Sequence, residues 1–210
     1  MSKAIGIKTF IKLAADPNTI ILDTRLPDYF ENGFIPNSIN IGFKPGFEAF
    51  VNLLLEPTNT ILLVCKANTE TEVVNSLIEN GYNNIAGYLQ NGFDAWLNYE
   101  QPYDMLISIS GEEACLDALY NEKAVIIDIR ASDVYANAHL HKAINIPLTK
   151  LKQQISQLDK TAETILYSQN GYESMIAASL LKNAGFKNIK NVWGGFDQIV
   201  SEEKAVIAKL

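Results

Sequence analysis

The chain says the same thing twice. Asp23 and Asp128, Arg25 and Arg130, and Asn40 and Asn145 are separated by one common offset. Cys65 and Ser168, and Gly92 and Gly195, share a second offset two residues shorter. Each half alternates short apolar runs with segments of helical spacing. A repeat this long, holding its own strand–helix alternation, means two copies of one domain rather than a solenoid. Such alternation predicts an α/β fold in which each copy is a parallel sheet with helices on both faces. The copies divide near residues 101–105, giving domains at 1–102 and 103–210, with Gln101-Pro102-Tyr103-Asp104 as a linker. A chain of 210 residues is long enough for two small cores.

Within the first copy, Ile61-Leu62-Leu63-Val64 reads as a buried strand, and Cys65 ends it. A polar loop follows, then the segment Val73 to Gly81 with helical spacing and a glycine stop. Cys65 is therefore expected where a strand meets a helix, the edge at which parallel sheets bind ligands. Unpaired N–H groups and the helix dipole favour an anion there, and the same placement can lower a thiol pKa. Packing as a small apolar residue is the competing reading.

Other elements follow in order. Ile7, Phe10, Ile11 and Ala14 share a helical face, Thr19 to Leu22 is a strand, and residues 33–38 form a turn. Phe47 to Leu55 is a helix and Ile85 to Leu89 a strand. In the second copy Ser110 and Glu113 form a capping-box signature, Ala124 to Ile127 is a strand, and residues 138–143 are a turn. Thr164 to Tyr167 leads to Ser168, a helix spans 174–183, and Ile189 to Trp193 is a strand.

A net charge of −7 argues against nucleic-acid or anionic-membrane partners, and no apolar run is long enough to span a bilayer. The start of the chain lacks the apolar segment of a signal peptide. Two cysteines in different halves make no disulfide framework and suit a reducing cytoplasm. Two cysteines and two histidines give no metal-ligand spacing, so no metal or cofactor is expected.

The motifs Asp23-Thr24-Arg25, Gly33-Phe34-Ile35-Pro36-Asn37-Ser38-Ile39-Asn40-Ile41, strand–Cys65–loop–helix, and Gly87-Tyr88 through Gly92-Phe93-Asp94-Ala95-Trp96 resemble the rhodanese-like domain. The second half repeats them as Ala138-His139-Leu140, Ala143-Ile144-Asn145-Ile146-Pro147 and Trp193-Gly194-Gly195-Phe196-Asp197. The first half, with Gly81-Tyr82-Asn83-Asn84-Ile85-Ala86-Gly87-Tyr88-Leu89, is also similar to rhodanese tails of metallo-β-lactamase-fold hydrolases of persulfide metabolism, which implies a fused or partner hydrolase.

The resemblance implies a sulfurtransferase in which Cys65 carries sulfur as a persulfide, taken from a small donor and passed to a thiol acceptor or cyanide. The N–H groups of Lys66, Ala67, Asn68, Thr69, Glu70 and Thr71 would cradle the sulfur. Two departures bear on activity. Asn68 stands where glycine is usual, and asparagine tolerates the left-handed backbone. Glu70 stands where arginine is usual (or Thr69, with the alignment moved by one); the Glu70 carboxylate competes for the N–H groups and repels thiosulfate, and Lys66 offsets only part of this. Weak thiosulfate activity is expected, or a donor that is neutral or protein-bound.

In the second copy Ser168, with Gln169, Asn170, Gly171, Tyr172 and Glu173, marks a degenerate site, since serine forms no persulfide. A serine triad would need a partnered base, and none is evident. Neither loop has the arginine of a phosphate clamp. Asp23, Arg25, Asp128, Arg130 and His139 are expected to brace loops rather than touch substrate. A non-catalytic tandem module and an oxidant sensor at Cys65 are the competing functions; the sensor also requires a lowered thiol pKa.

Overall fold

The computed structural model describes residues 3–210 and forms two compact units, Met1–Met105 and Leu106–Leu210. The first runs β1 (Ala4–Ile5), α1 (Ile7–Ala14), β2 (Thr19–Asp23), α2 (Pro27–Glu31), β3 (Ile39–Asn40), α3 (Phe47–Leu54), β4 (Thr60–Val64), α4 (Glu70–Glu79), β5 (Ile85–Leu89) and α5 (Gly92–Asn98). The second runs β6 (Ile107–Ile109), α6 (Gly111–Tyr120), β7 (Ala124–Asp128), α7 (Ser132–Asn137), β8 (His139–Leu140), β9 (Ile144–Asn145) and α8 (Leu148–Gln154). A 3-10 turn at Ile155–Gln157 leads into β10 (Glu163–Tyr167), α9 (Tyr172–Asn183), β11 (Ile189–Val192), α10 (Gly195–Ile199) and β12 (Ile207–Ala208).

The strand orders are β1-β5-β4-β2-β3 and β6-β11-β10-β7-β9, every pairing parallel. Helices flank both sheets. The chain steps outward from β2 to β3, then returns to β4 on the other side of β2. The reversal lies between β2 and β4, so the loops that follow them open side by side at the carboxyl edge. Covered on both faces, β4 can be continuously apolar, and Ile61 through Val64 are fully buried. Phe10, Ile21, Leu62, Val64, Leu89, Phe93 and Trp96 share the core of this unit.

Three stretches differ from the sequence-based expectations. Residues 101–104 are not a free linker: Phe34 and Asp104 exchange backbone hydrogen bonds at 2.9 and 3.0 Å, and Trp96 Nε1 donates to Pro102 O at 2.9 Å. Tyr103 also meets the Phe93 ring edge-on, so the first unit extends to Met105. Residues 139–140 are a strand rather than a turn, because Leu140 and His139 pair antiparallel with Ile207 and Ala208. The edge strand β1 pairs with β5, a contact that no local pattern in Lys3-Ala4-Ile5 announces.

Candidate active site at the end of the fourth strand

The ends of β2 and β4 are in register, Asp23 beside Val64. Just beyond β2, the Arg25 guanidinium lies on the buried Asp23 carboxylate, with Nε at 2.9 and 3.1 Å and Nη2 at 2.6 Å. Nη2 also donates to Gly33 O at 2.8 Å, and the guanidinium sits over the Phe93 ring. Asn40 Nδ2 donates to the carbonyls of Asp23 and Arg25 at 3.0 and 2.9 Å. These bonds tie three loops together. Asp128, Arg130 and Asn145 repeat them in the second unit, with Arg130 Nη2 donating to Ala138 O at 2.8 Å. The same set of bonds thus stands beside a thiol in one unit and beside a serine in the other. His139 Nδ1 is 2.8 Å from Tyr135 O and its ring stacks on Tyr135.

Cys65 lines a cleft of ≈ 550 Å³ together with Arg25, Tyr29, residues 66–68, Glu70 and residues 91–94. Thr69 N and Oγ1 both donate to Lys66 O, at 3.1 and 2.8 Å, closing a tight turn. Asn68 takes φ +69° in that turn, the left-handed backbone an asparagine accepts. The Thr69 N–H is thus spent inside the loop and cannot join a cradle of the kind expected of residues 66–71. The N–H groups of Lys66, Ala67 and Asn68 make no backbone hydrogen bond among the described residues. Glu70 and Thr71 open α4, and Lys66 carries its ammonium over the Tyr29 ring.

Cys65 is only 4% exposed. Burial pushes the Cys65 thiol up to about 12, the neighbouring Thr24 side chain acts the other way, and the charges of Glu70 and Asp23 add to the rise. The lowering that a strand-to-helix junction can give is opposed here, because the strand end is covered and the first helical turn presents carboxylates.

The second site is closed from within. Ser168, 1% exposed, has its Oγ 3.2 Å from Ser174 Oγ and accepts from Gly171 N at 3.1 Å. Gln169 spans the mouth, accepting from Arg130 Nη1 at 3.2 Å and donating to Asp197 Oδ1 at 2.5 Å. Asn170 Oδ1 accepts from Tyr172 N at 3.2 Å, Tyr172 is buried, and Glu173 is half-buried. Ser168 has no imidazole on it, so no serine triad is assembled. Among the described residues, no group of three His, Cys, Asp or Glu side chains could hold a metal ion, and no helix is long and apolar enough to cross a membrane.

In both units a glycine turn presses on the site loop. A Cβ on Gly92 would lie 3.0 Å from Cys65 O, and one on Gly195 only 2.3 Å from Ser168 O. Gly195 also holds φ +60°, and its helix start grips the loop through Phe196 N to Ser168 O at 2.8 Å and Asp197 N to Gln169 O at 3.0 Å. Gly195→Ala is expected to destabilise the second unit by about 3 kcal/mol, from a strained φ plus a backbone clash. Urea unfolding followed by Trp193 fluorescence in a Trp96→Phe background measures this; a midpoint equal to that of the parent would refute the clash.

Sequence reasoning singled out Asp23, Arg25, Cys65 and the loop, and the structure gathers them at one edge. It missed Thr24, Tyr29 and Asp94 in the first unit, and Ser174 in the second. A position-by-position comparison of the copies would have exposed Thr24, whose counterpart is Ile129.

The family model described as rhodanese-like domain matches residues 7–99 and again 112–202. Among curated relatives, Thiosulfate sulfurtransferase GlpE of Coxiella burnetii is 32% identical over 73 residues, 35% of this chain and 68% of that protein. YqhL of Bacillus subtilis is 36% identical over 83 residues, 40% of this chain and 66% of that protein. Adenylyltransferase and sulfurtransferase uba4 of Ogataea parapolymorpha is 36% identical over 90 residues, 41% of this chain but 23% of that much longer protein.

Proposed function

The chain belongs to the rhodanese-like domain family in both of its halves, and from that premise we propose that it is a sulfurtransferase whose first unit moves sulfane sulfur through a persulfide on Cys65. The observation that carries the reading is the cleft lined by Cys65, at the carboxyl edge beside the strand reversal. The names of relatives such as GlpE, a thiosulfate sulfurtransferase, support the reaction class.

The step is a sulfur exchange without net redox change. The Cys65 sulfur attacks the outer sulfur of a donor persulfide, R–S–SH. A new S–S bond forms on Cys65 as the donor S–S bond breaks. The leaving R–S takes the bonding pair and the proton given up by the Cys65 thiol. An acceptor thiol repeats the exchange in reverse, and Cys65 returns as a thiol. The transfer is split into two covalent steps of ordinary nucleophilic catalysis.

The cleft charge selects the donor. Lys66 is countered by Glu70 and Asp94, and Arg25 is tied to Asp23. A dianion such as thiosulfate gains little there, so a persulfide of low charge or one carried on a protein is the preferred donor. The second unit, with an oxygen in place of sulfur and its loop closed on itself, carries no sulfur.

Intact-mass spectrometry after incubation with a small persulfide tests the reading. A gain of one sulfur atom is expected, removable by cyanide and absent in Cys65→Ala. Failure of every donor to add sulfur, or an adduct that persists in Cys65→Ala, overturns it.

A further inference from the structure

The two units differ at a second position next to the thiol. Thr24, just past β2, is 2% exposed. Its N–H and its hydroxyl both donate to Val64 O, the carbonyl preceding Cys65, at 2.8 and 3.2 Å. The register that sets Asp23 beside Val64 carries on through the Thr24 N–H bond, so Thr24 lies beside Cys65 with both side chains on the same face of the sheet. The second unit keeps the backbone half of this arrangement, Ile129 N to Tyr167 O at 2.9 Å, but Ile129 has no hydroxyl. Ser168 finds its bonds instead at Gly171 of its loop and at Ser174 in the first turn of α9. Thiol and hydroxyl occur together in one copy, and both are replaced in the other.

We propose that Thr24 is a catalytic hydroxyl of the first unit: it donates its hydrogen bond to Val64 O while Cys65 is a thiol, and turns to donate to the sulfur as negative charge develops there. A hydroxyl has one proton and two lone pairs, so it can accept from S–H while bonded to Val64 O, then reverse its role by rotation. It exchanges no proton; the proton of Cys65 leaves with the sulfur leaving group, as above. The need is physical. The nascent thiolate forms in a buried place, with the Asp23 and Glu70 carboxylates raising its energy and Arg25 turned to Asp23. A buried anion without a donor is costly, and a neutral donor already desolvated supplies the bond without reorganisation. The inference rests on Cys65 as the sulfur carrier, but its test does not depend on sulfur transfer.

The test is the second-order rate of Cys65 alkylation by iodoacetamide at pH 9, read from the mass of the Cys65 peptide, in Thr24→Val and Thr24→Ser. Valine fits the site, since isoleucine occupies the same backbone position in the other unit. Thr24→Val is expected to slow alkylation about tenfold, the worth of a hydrogen bond to a charged group, while Thr24→Ser stays within about twofold of the parent. An unchanged rate in Thr24→Val overturns the proposal. So does a Thr24→Ser as slow as Thr24→Val, which would make the methyl group the active part. Sulfur loading is measured alongside. No loading in the parent, together with slowed alkylation in Thr24→Val, would count against the sulfurtransferase reading and leave the role of Thr24 standing.

Discussion

Replacing Glu70 by arginine is expected to raise thiosulfate-dependent sulfur loading at Cys65 by about two orders of magnitude. Glu70 opens α4 and lines the cleft, and its charge reaches the thiol, where it opposes ionisation. It acts twice against thiosulfate, once by disfavouring the nucleophile and once by repelling the dianionic donor. Arginine reverses both effects and adds a planar donor set matched to an oxyanion. Glu70→Gln removes the repulsion without adding attraction, so about a tenfold gain is expected. The readout is thiocyanate formation with cyanide in excess and thiosulfate limiting. A neutral persulfide donor separates the two effects, since it senses only the nucleophile and should gain less than thiosulfate from either variant. If thiosulfate rates stay level in both variants, the carboxylate does not set donor choice.

The second large effect is on stability in alkali. The Cys65 thiol ionises near 9.0 when unfolded and near about 12 in the folded chain, because folding buries it. Between those values the unfolded chain has given up the proton and the folded chain still holds it, so rising pH favours unfolding. The contribution is fully present below pH 9, falls as pH rises, and is gone above pH 12. A difference of this size corresponds to about 4 kcal/mol across the window. Tyrosines and lysines titrate in the same range, so the comparison is with Cys65→Ala, in which the thiol term alone is removed. Trp96, in the core of the first unit, reports its unfolding in a Trp193→Phe background. The parent should lose stability more steeply than Cys65→Ala between pH 9 and 11. Parallel curves would mean that the folded site accommodates the thiolate.

Much of the architecture was legible because it depends on residues close together in the chain. The order of motifs announced two copies, and the uninterrupted apolar run 61–64 announced a strand covered on both faces, which is what the parallel sheets require. Ser110 and Glu113 are three residues apart, and the reciprocal capping box forms, with Glu113 N to Ser110 Oγ at 3.1 Å and Ser110 N to Glu113 Oε2 at 2.9 Å. Asn68 could be anticipated in a left-handed turn because that preference belongs to the residue itself. What the tertiary structure alone decided involves partners distant in sequence. The pairing of 139–140 with 207–208, the docking of 101–104 on Phe34, and the Gln169 bridge from Arg130 to Asp197 all join separate elements. The acidity of Cys65 is of the same kind. A strand-to-helix junction favours an anion through local backbone dipoles, but burial by neighbouring elements and the charges of Asp23 and Glu70 act in the opposite direction and prevail. Local preference placed the thiol, whereas its desolvation arose only when the chain folded around it.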